Sequence, residues 1–243
     1  MTGRNHAASD RVDIGDIARI GRIALREARG AVRPVLRGQS WWNASLGPIR
    51  LPAGELLLRP PVPSDAAAWR ATRLANRPEL EPAFPAAGDD WAAEQSALSW
   101  TDQCLRLRGQ ARRGVAFPYV VLFDGRLVGE RLVMIDYGTS TGEDSIWLDR
   151  SVRRTDVAAC SSALVSLHVL RAPRAPSRFV APVSVTNRGP ERVLQRLGYS
   201  LEGTFRAMRD TSTGRADHDI WVAHDSPEFR AGLRAILEKS ADA

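Results

Sequence analysis

The chain has 243 residues, of which 44% are hydrophobic, so it can form one well-buried core with residues left over for an extension. No apolar run is long enough to span a bilayer, and the polar first residues lack the apolar core of a secretion signal. Cys104 and Cys160 stand far apart, without the paired spacing of a zinc site or a disulfide framework. Together these features favour a cytoplasmic protein.

The chain is basic, with a formal net charge of +6, and its positive charge comes almost entirely from arginine. Such a chain attracts polyanions, which include RNA, anionic lipid and polyphosphate cofactors. The arginines are spread along the sequence, however, and form no basic run interleaved with aromatic residues. We therefore expect no specific nucleic-acid partner and no membrane span.

Residues 1–48 are predicted to form an extension that precedes the main domain, residues 49–243. Val12, Ile17 and Ile20 recur at helical spacing with arginines between them, which predicts a basic amphipathic helix. Three interpretations stay open. The helix packs on the domain or on a second copy of the chain, giving a homodimer; it binds a membrane surface or a partner; or the segment is disordered.

The first half of the main domain shows clear local signals. Ser64 and Asp65 are good helix caps, and the pair Asp124-Gly125 between two alternating apolar runs is typical of a hairpin. The predicted elements are a strand over 55–60, a helix over 66–75, a proline-broken loop over 76–88, one long helix over 91–113, a hairpin of 118–123 with 126–137, and a strand over 144–150.

The second half begins with an apolar helix and continues with alternating strands and helices. Pro190 suits the first turn of a helix, and Gly198 suits the left-handed residue that ends it. The predicted elements are a helix over 157–170, a strand over 179–185, a short helix after residue 190, strands over 199–206 and 216–223, and a last helix over 227–238. This order predicts an α+β fold with a mixed sheet flanked by helices.

One stretch carries a family resemblance, through Asn187, the run Leu197-Gly198-Tyr199, the pair Glu202-Gly203 and a later Asp217 or Asp219. In these residues the chain resembles the GNAT superfamily of acyl-CoA-dependent N-acyltransferases, and it is most similar to the branch that acetylates the N-terminal amines of ribosomal proteins. The resemblance extends over residues 49–224. It implies a mostly antiparallel GNAT-type sheet, with acetyl-CoA or another acyl-CoA as co-substrate. It also implies a slot between strands at Ile146 and Val183 that receives the arm of the thioester.

The resemblance further implies a pyrophosphate site at a helix N-terminus, where backbone N–H groups and the helix dipole favour an anion. Arg153 and Ala158 fit the family motif, whereas Asp156 stands where the family has glycine. Two interpretations of Asp156 stay open: its charge opposes the phosphates and nearby arginines offset it, or it caps the helix and the pocket is lost. The predicted cofactor-binding residues are Trp147, Leu148, Asp149, Arg153, Arg154, Thr155, Asp156, Val157, Ala158 and Asn187.

The predicted catalytic residues are Glu130, Asp144 and Asn187. An inward Glu130 in a central strand could take a proton from an amine through water, and Asp144 is a second candidate base. Asn187 is expected to meet the pantetheine arm, although an asparagine in a turn also bonds its own backbone. Pro190 occupies the position of a serine that acts as general acid in the related branch, and proline has no proton to donate.

These features predict an N-acyltransferase that moves an acyl group from acyl-CoA to an amine of a protein N-terminus, a lysine or a small molecule. The alternative is a catalytically impaired GNAT-fold protein that acts as a binding or regulatory module. The two readings differ in the effect they assign to Asp156 and Pro190.

Overall fold

The computed structural model describes residues 41–88 and 90–241. The predicted basic helix in the extension lies outside the described residues. A strand, Leu46–Leu51, spans the predicted boundary at residue 48 and pairs with the next strand of the domain. The division into extension and domain therefore stays a prediction.

The strands are β1 (Leu46–Leu51), β2 (Gly54–Arg59), β3 (Ala116–Phe123), β4 (Arg126–Asp136), β5 (Thr141–Leu148), β6 (Arg178–Ser184), β7 (Ser200–Thr211) and β8 (Gly214–His224). They form one sheet in the order β1-β2-β3-β4-β5-β6-β8-β7. Neighbouring strands are antiparallel except for β5 and β6, which run parallel. The predicted mixed, mostly antiparallel α+β sheet is confirmed.

The turn between β3 and β4 shows how local sequence sets the register of the sheet. Asp124 and Gly125 have positive φ angles of 48° and 74°, as the two central residues of a type I′ turn require. The Asp124 carboxylate also accepts a hydrogen bond at 2.8 Å from the backbone N–H of Glu55. The predicted hairpin is confirmed, and its turn is tied to β2.

The described helices are α1 (Ala66–Ala75), α2 (Arg77–Ala83), α3 (Trp91–Glu94), α4 (Ala97–Arg112), α5 (Val157–Val169), α6 (Glu191–Arg196) and α7 (Pro227–Ala241). Two predictions in this list were wrong. The loop expected over 76–88 contains α2, because Pro78 lies in the first turn, where a helix tolerates proline. The single helix expected over 91–113 is split, because the Ser96 hydroxyl accepts the N–H of Ser99 at 3.1 Å and starts a new helix. None of the described helices is long and apolar enough to cross a membrane.

The apolar side chains form two clusters because successive residues of a strand point to opposite faces of the sheet. Val121 enters a large cluster that includes residues of α5 and α7. Its neighbour Val120 enters a smaller cluster that is rich in tryptophan. In that cluster the rings of Trp69 and Trp100 stack with centroids 4.9 Å apart.

A buried ion pair joins β4 to β5. Arg131, with a side chain only 1% exposed, donates a hydrogen bond at 2.5 Å to the Asp144 carboxylate. The hydroxyl of Tyr199, next to β7, donates to the same carboxylate at 3.3 Å. Because a buried charge is costly without a counter-charge, Asp144 stabilises Arg131 in the fold.

Replacing Asp144 with Asn should lower the free energy of unfolding by about 3–5 kcal/mol, since the Arg131 charge would stay buried without a counter-charge. Urea unfolding followed by tryptophan fluorescence measures this loss. Glu143→Gln is the matched control, because the Glu143–Arg209 ion pair is exposed and should contribute at most about 1 kcal/mol. Equal losses in the two variants would contradict the role given to Asp144.

Candidate active site

The parallel pairing of β5 with β6 is short. It covers three residue pairs and ends at Glu143 and Val180. Beyond that point β5 continues to Leu148 along β4, while β6 continues to Ser184 along β8. The backbone pairing of the two strands therefore ends before Ile146 and Val183, as the predicted divergence requires, and the slot as a ligand site stays a prediction. Strand edges that do not pair with each other can instead pair with an extended ligand.

A tight turn follows β5 and is fastened to the helices beside it. The Asp149 carboxylate accepts hydrogen bonds from the N–H of Ser151 at 2.7 Å and from the Asn76 side-chain amide at 2.8 Å. The side-chain oxygen of Asn76 in turn accepts a hydrogen bond from the backbone N–H of Arg150 at 3.0 Å. The structure thus places Asp149, a predicted cofactor-binding residue, in a clamp that positions the loop.

The predicted phosphate-binding loop leads from this turn into α5. Arg153 forms an exposed ion pair with Glu79 at 2.9 Å, and Arg154 has a positive φ of 63°. The Thr155 hydroxyl donates to the carbonyl of Val152 at 2.6 Å and accepts the N–H of Val157 at 3.3 Å. Thr155 therefore shapes the loop rather than presenting its hydroxyl to solvent.

The first turn of α5 offers the backbone donors that an anion site needs. The side chain of Val157 is fully buried, so this residue holds the helix in the core. The N–H groups of Ala158 and Ala159 lie in the first turn, where a helix supplies no internal acceptor. This helix terminus follows the end of β5 in the chain, with residues 149–156 between them.

The Asp156 side chain stands at the N-cap position of α5 but is held by partners outside that helix. It makes no capping hydrogen bond to α5. Instead it forms an ion pair with Arg196 of α6 and accepts a hydrogen bond at 3.3 Å from the hydroxyl of Ser240 in α7. Of the two interpretations left open for Asp156, the capping one is contradicted, because the carboxylate pairs with Arg196 instead of the first N–H groups of α5. Its negative charge is offset by Arg196, which is forty residues away in sequence.

Trp147 and Leu148 occupy opposite faces of β5. Trp147 lies beside Glu130 in the register of β4 and β5, and its side chain joins the tryptophan-rich cluster. Leu148 packs at the edge of the large cluster. Trp147 therefore belongs to a pocket on the far face of the sheet from α5, and the slot borders that pocket.

Glu130 lies at the centre of this pocket. Its Oε2 accepts hydrogen bonds from the indole N–H groups of Trp69 at 2.8 Å and Trp147 at 2.7 Å, and its Oε1 accepts one from the Gln103 amide at 2.7 Å. Burial raises the pKa of Glu130, and these donors together with the charge of Arg73 oppose the shift. A buried carboxylate with a raised pKa is well suited to proton transfer near neutral pH.

The cavity around Glu130 has a volume of about 400 Å³. Its walls come from α1, α3 and α4, from the loops after α2 and α3, and from β4 and β5. Its lining residues are Trp69, Arg73, Phe84, Pro85, Glu94, Gln95, Ser99, Gln103, Leu107, Glu130, Leu132, Ser145 and Trp147. The sequence motifs indicated only Glu130 and Trp147 among them, since no local pattern relates α1 to β4.

The two other predicted catalytic residues lie elsewhere. Asp144 faces the opposite side of the sheet from Glu130 and is held by Arg131, so its environment is that of a structural carboxylate. Asn187 is exposed in the loop after β6, and its side-chain oxygen accepts the N–H of Gly189 at 3.3 Å. That bond is the turn alternative foreseen for Asn187, although the loop also lies at the open end of the slot.

Comparisons with known proteins agree with this geometry. A family model described as the acetyltransferase (GNAT) domain matches residues 55–200. The structure of Mycobacterium smegmatis RimJ in complex with CoA-disulfide is 30% identical, with a TM-score of 0.73, over 80% of this chain and 95% of that one. No curated protein sequence matches the chain significantly.

Two further solved structures share the fold at lower identity. One is the ribosomal-protein-S5-alanine acetyltransferase from Vibrio fischeri, 19% identical with a TM-score of 0.62 over 71% of this chain and 94% of that one. The other is an acetyltransferase from Salmonella typhimurium that modifies the N-terminal serine of ribosomal protein L7/L12. It is 18% identical with a TM-score of 0.65, over 75% of this chain and all of that one. With the family model covering more than half of the sequence, the chain belongs to the GNAT family of acyl-CoA-dependent N-acyltransferases.

Proposed function

We propose that this protein transfers the acetyl group of acetyl-CoA to a primary amine that enters the Glu130 cavity. The observation that carries the proposal is the slot between β5 and β6, which runs beside that cavity along β5. The acceptor is a protein N-terminus, a lysine side chain or a small amine.

The chain's own residues fit an acyl-CoA. The diverging edges of β5 and β6 offer unpaired backbone groups to the amides of the pantetheine arm, which would take the place of a missing strand. The first-turn amides of α5, with Arg153 and Arg154 in the preceding loop, suit a pyrophosphate. Asn187, in the loop after β6, lies at the same end of the slot.

Glu130 supplies the base that acetyl transfer to an amine requires. A primary amine is protonated at neutral pH and must lose a proton before its nitrogen attacks the thioester carbonyl. The three protein donors to Glu130 occupy three of the roughly four acceptor positions of a carboxylate, which leaves a position for the amine or a bridging water. The new C–N bond forms as the C–S bond breaks, and the CoA thiolate takes up a proton.

The direct test measures binding and transfer separately. Calorimetry should detect acetyl-CoA at a micromolar dissociation constant, which is ordinary for an enzyme substrate. Mass spectrometry should then detect an added acetyl group on short peptides that have a free N-terminus or a single lysine. Binding without transfer to any amine, or the absence of binding at millimolar acetyl-CoA, would contradict the proposed transfer and support the impaired binding or regulatory module.

Glu130→Gln should lower kcat by about 100-fold or more, because general-base catalysis of this kind contributes 10²–10⁴. Acetyl-CoA affinity should not change, since the amide keeps the shape of the side chain. In the parent enzyme the rate should fall as the pH drops through the raised pKa of Glu130, because protonation removes the base; the variant should lose this dependence.

Glu94→Gln is the matched control for that substitution. Glu94 lines the same cavity, but its carboxylate accepts hydrogen bonds from the backbone N–H groups of Ala87 and Gly88. Its kcat should stay within a few-fold of the parent value. Similar losses in both variants would assign the effect to the charge of the cavity and not to a base at residue 130.

Asp156→Asn should tighten acetyl-CoA binding severalfold, because it leaves the Arg196 charge unpaired beside the first turn of α5. High salt should remove the gain, since both side chains are partly exposed and the interaction is screened. Asp225→Asn is the control, because it leaves Arg230 unpaired through the same change of charge. Asp225 follows the end of β8, and that end pairs with the start of β6. An unchanged affinity in Asp156→Asn would contradict the placement of the phosphates at α5.

A further inference from the structure

Arg73 is an unusual feature of the Glu130 cavity. Its side chain is only 9% exposed, yet its Nη1 lies 4.0 Å from Glu130 Oε2, too far for a hydrogen bond. Its Nε donates at 2.6 Å to Gln95, whose own amide is fixed by the carbonyl of Trp91. Among the described residues, neither Nη1 nor Nη2 of Arg73 donates a hydrogen bond.

Aromatic rings hold the Arg73 guanidinium in place. Its central carbon lies 5.2 to 5.5 Å from the ring centroids of Trp69, Phe84, Trp91 and Trp147. Rings at these distances attract the cation but accept no strong hydrogen bond. The guanidinium is therefore fixed in position while the N–H groups of its two terminal nitrogens stay available, and Arg73 lines the cavity.

A fixed guanidinium whose terminal N–H groups line a cavity can donate charge-assisted hydrogen bonds to an oxygen of a ligand bound there. Within this cavity Glu130 and Arg73 face each other across 4.0 Å. One group takes a proton from an amine and the other donates to an oxygen. A ligand that satisfies both must carry a nitrogen and an oxygen close together.

Resting on the proposed function, we infer that Arg73 binds the main-chain carbonyl oxygen of the residue whose amine is acetylated. The acceptor is then the N-terminal residue of a peptide. In such a residue the amine nitrogen and the carbonyl oxygen are about 3 Å apart by standard bond lengths, which suits the spacing of Glu130 and Arg73. A lysine ε-amine has no oxygen near its nitrogen and would leave Arg73 unpaired.

The experiment compares three acceptors that share a primary amine on a carbon with one methyl group and differ in the next substituent of that carbon. They are an alanine tripeptide amide, the free amino acid alanine and 2-aminopropane, which lacks the oxygen. The parent enzyme should use the tripeptide amide with the highest kcat/KM. A higher value for alanine would identify the oxygen as a carboxylate and overturn the assignment to a peptide N-terminus.

Arg73→Met should lower kcat/KM for the tripeptide amide by about 10- to 100-fold, as expected for losing hydrogen bonds from a charged group. It should change kcat/KM for 2-aminopropane by only a few-fold. Arg73→Lys should recover part of the loss, because it keeps the charge but not the planar fork. If Arg73 had a purely structural role, its loss would lower kcat/KM for both acceptors equally, and that result would overturn the inference.

Arg77→Met is the matched control. Arg77 also lies over the Trp91 ring, at 5.9 Å, but it pairs with Glu81 on the exposed side of α2. Its loss should leave the ratio between the two acceptors unchanged. Melting temperature and acetyl-CoA affinity of the Arg73 variants show whether the fold and the slot are intact.

Failure of this inference can be separated from failure of the proposed function. If the parent enzyme acetylates the tripeptide amide but Arg73→Met shows the same acceptor ratio, only the inference fails. If the parent enzyme binds acetyl-CoA and transfers nothing, the proposed function fails. Calorimetry of the tripeptide amide with the CoA-bound protein then decides the inference: binding that weakens in Arg73→Met supports it, and binding that does not change overturns it.

Discussion

The interrupted pairing of β5 and β6 is the constraint on which the rest of the site depends. Each strand keeps its outer neighbour, β4 or β8, so the sheet stays continuous while the two inner edges separate. The separation begins at Asp144, directly after the last pair. Asp144 accepts hydrogen bonds both from Arg131 in β4 and from Tyr199 beside β7. This buried network links the two halves of the sheet where their backbone pairing ends.

The position of the slot determines how the two substrates approach each other. Alternation along β5 places Asp144 and Ile146 on one face and Ser145 and Trp147 on the other. The helix terminus that suits the phosphates belongs to α5, on the first face, whereas the Glu130 cavity opens on the second. A thioester held in the slot would pass from one face towards the other, so an amine can reach it without crossing the phosphate site.

Much of the fold was predictable because its signals are local. Asp124-Gly125, Pro190 and Gly198 each require a particular backbone conformation, and the structure shows a turn, the start of a helix and a φ of 86° at these places. The slot and the family followed from a resemblance in one stretch around Asn187. What local patterns missed were the breaks between helices, where a single capping hydroxyl at Ser96 outweighs the helical tendency of the residues around it.

The candidate site was only partly predictable because its contacts join distant parts of the chain. Glu130 was predicted as a base, but its donors Trp69 and Gln103 lie sixty-one and twenty-seven positions away. The pairing of Asp156 with Arg196 likewise crosses forty positions. Spacing within a motif carries no information about such partners. The same limit explains Arg73, whose environment is built from four aromatic residues that no motif connects.

In the proposed reaction, Pro190 concerns the protonation of the CoA thiolate as it leaves, and not the attack of the amine. It lies just before α6, where its ring supports the start of the helix and offers no hydroxyl. A thiol has a pKa of about 8.5, so a thiolate is a far better leaving group near neutral pH than an alkoxide and depends less on a general acid. Ser184 at the end of β6 and Thr186 in the loop after it share a hydrogen bond of 3.0 Å between their hydroxyl groups. In the proposed reaction Pro190 offers no donor, but these hydroxyl groups and solvent remain as sources from which a thiolate can take its proton.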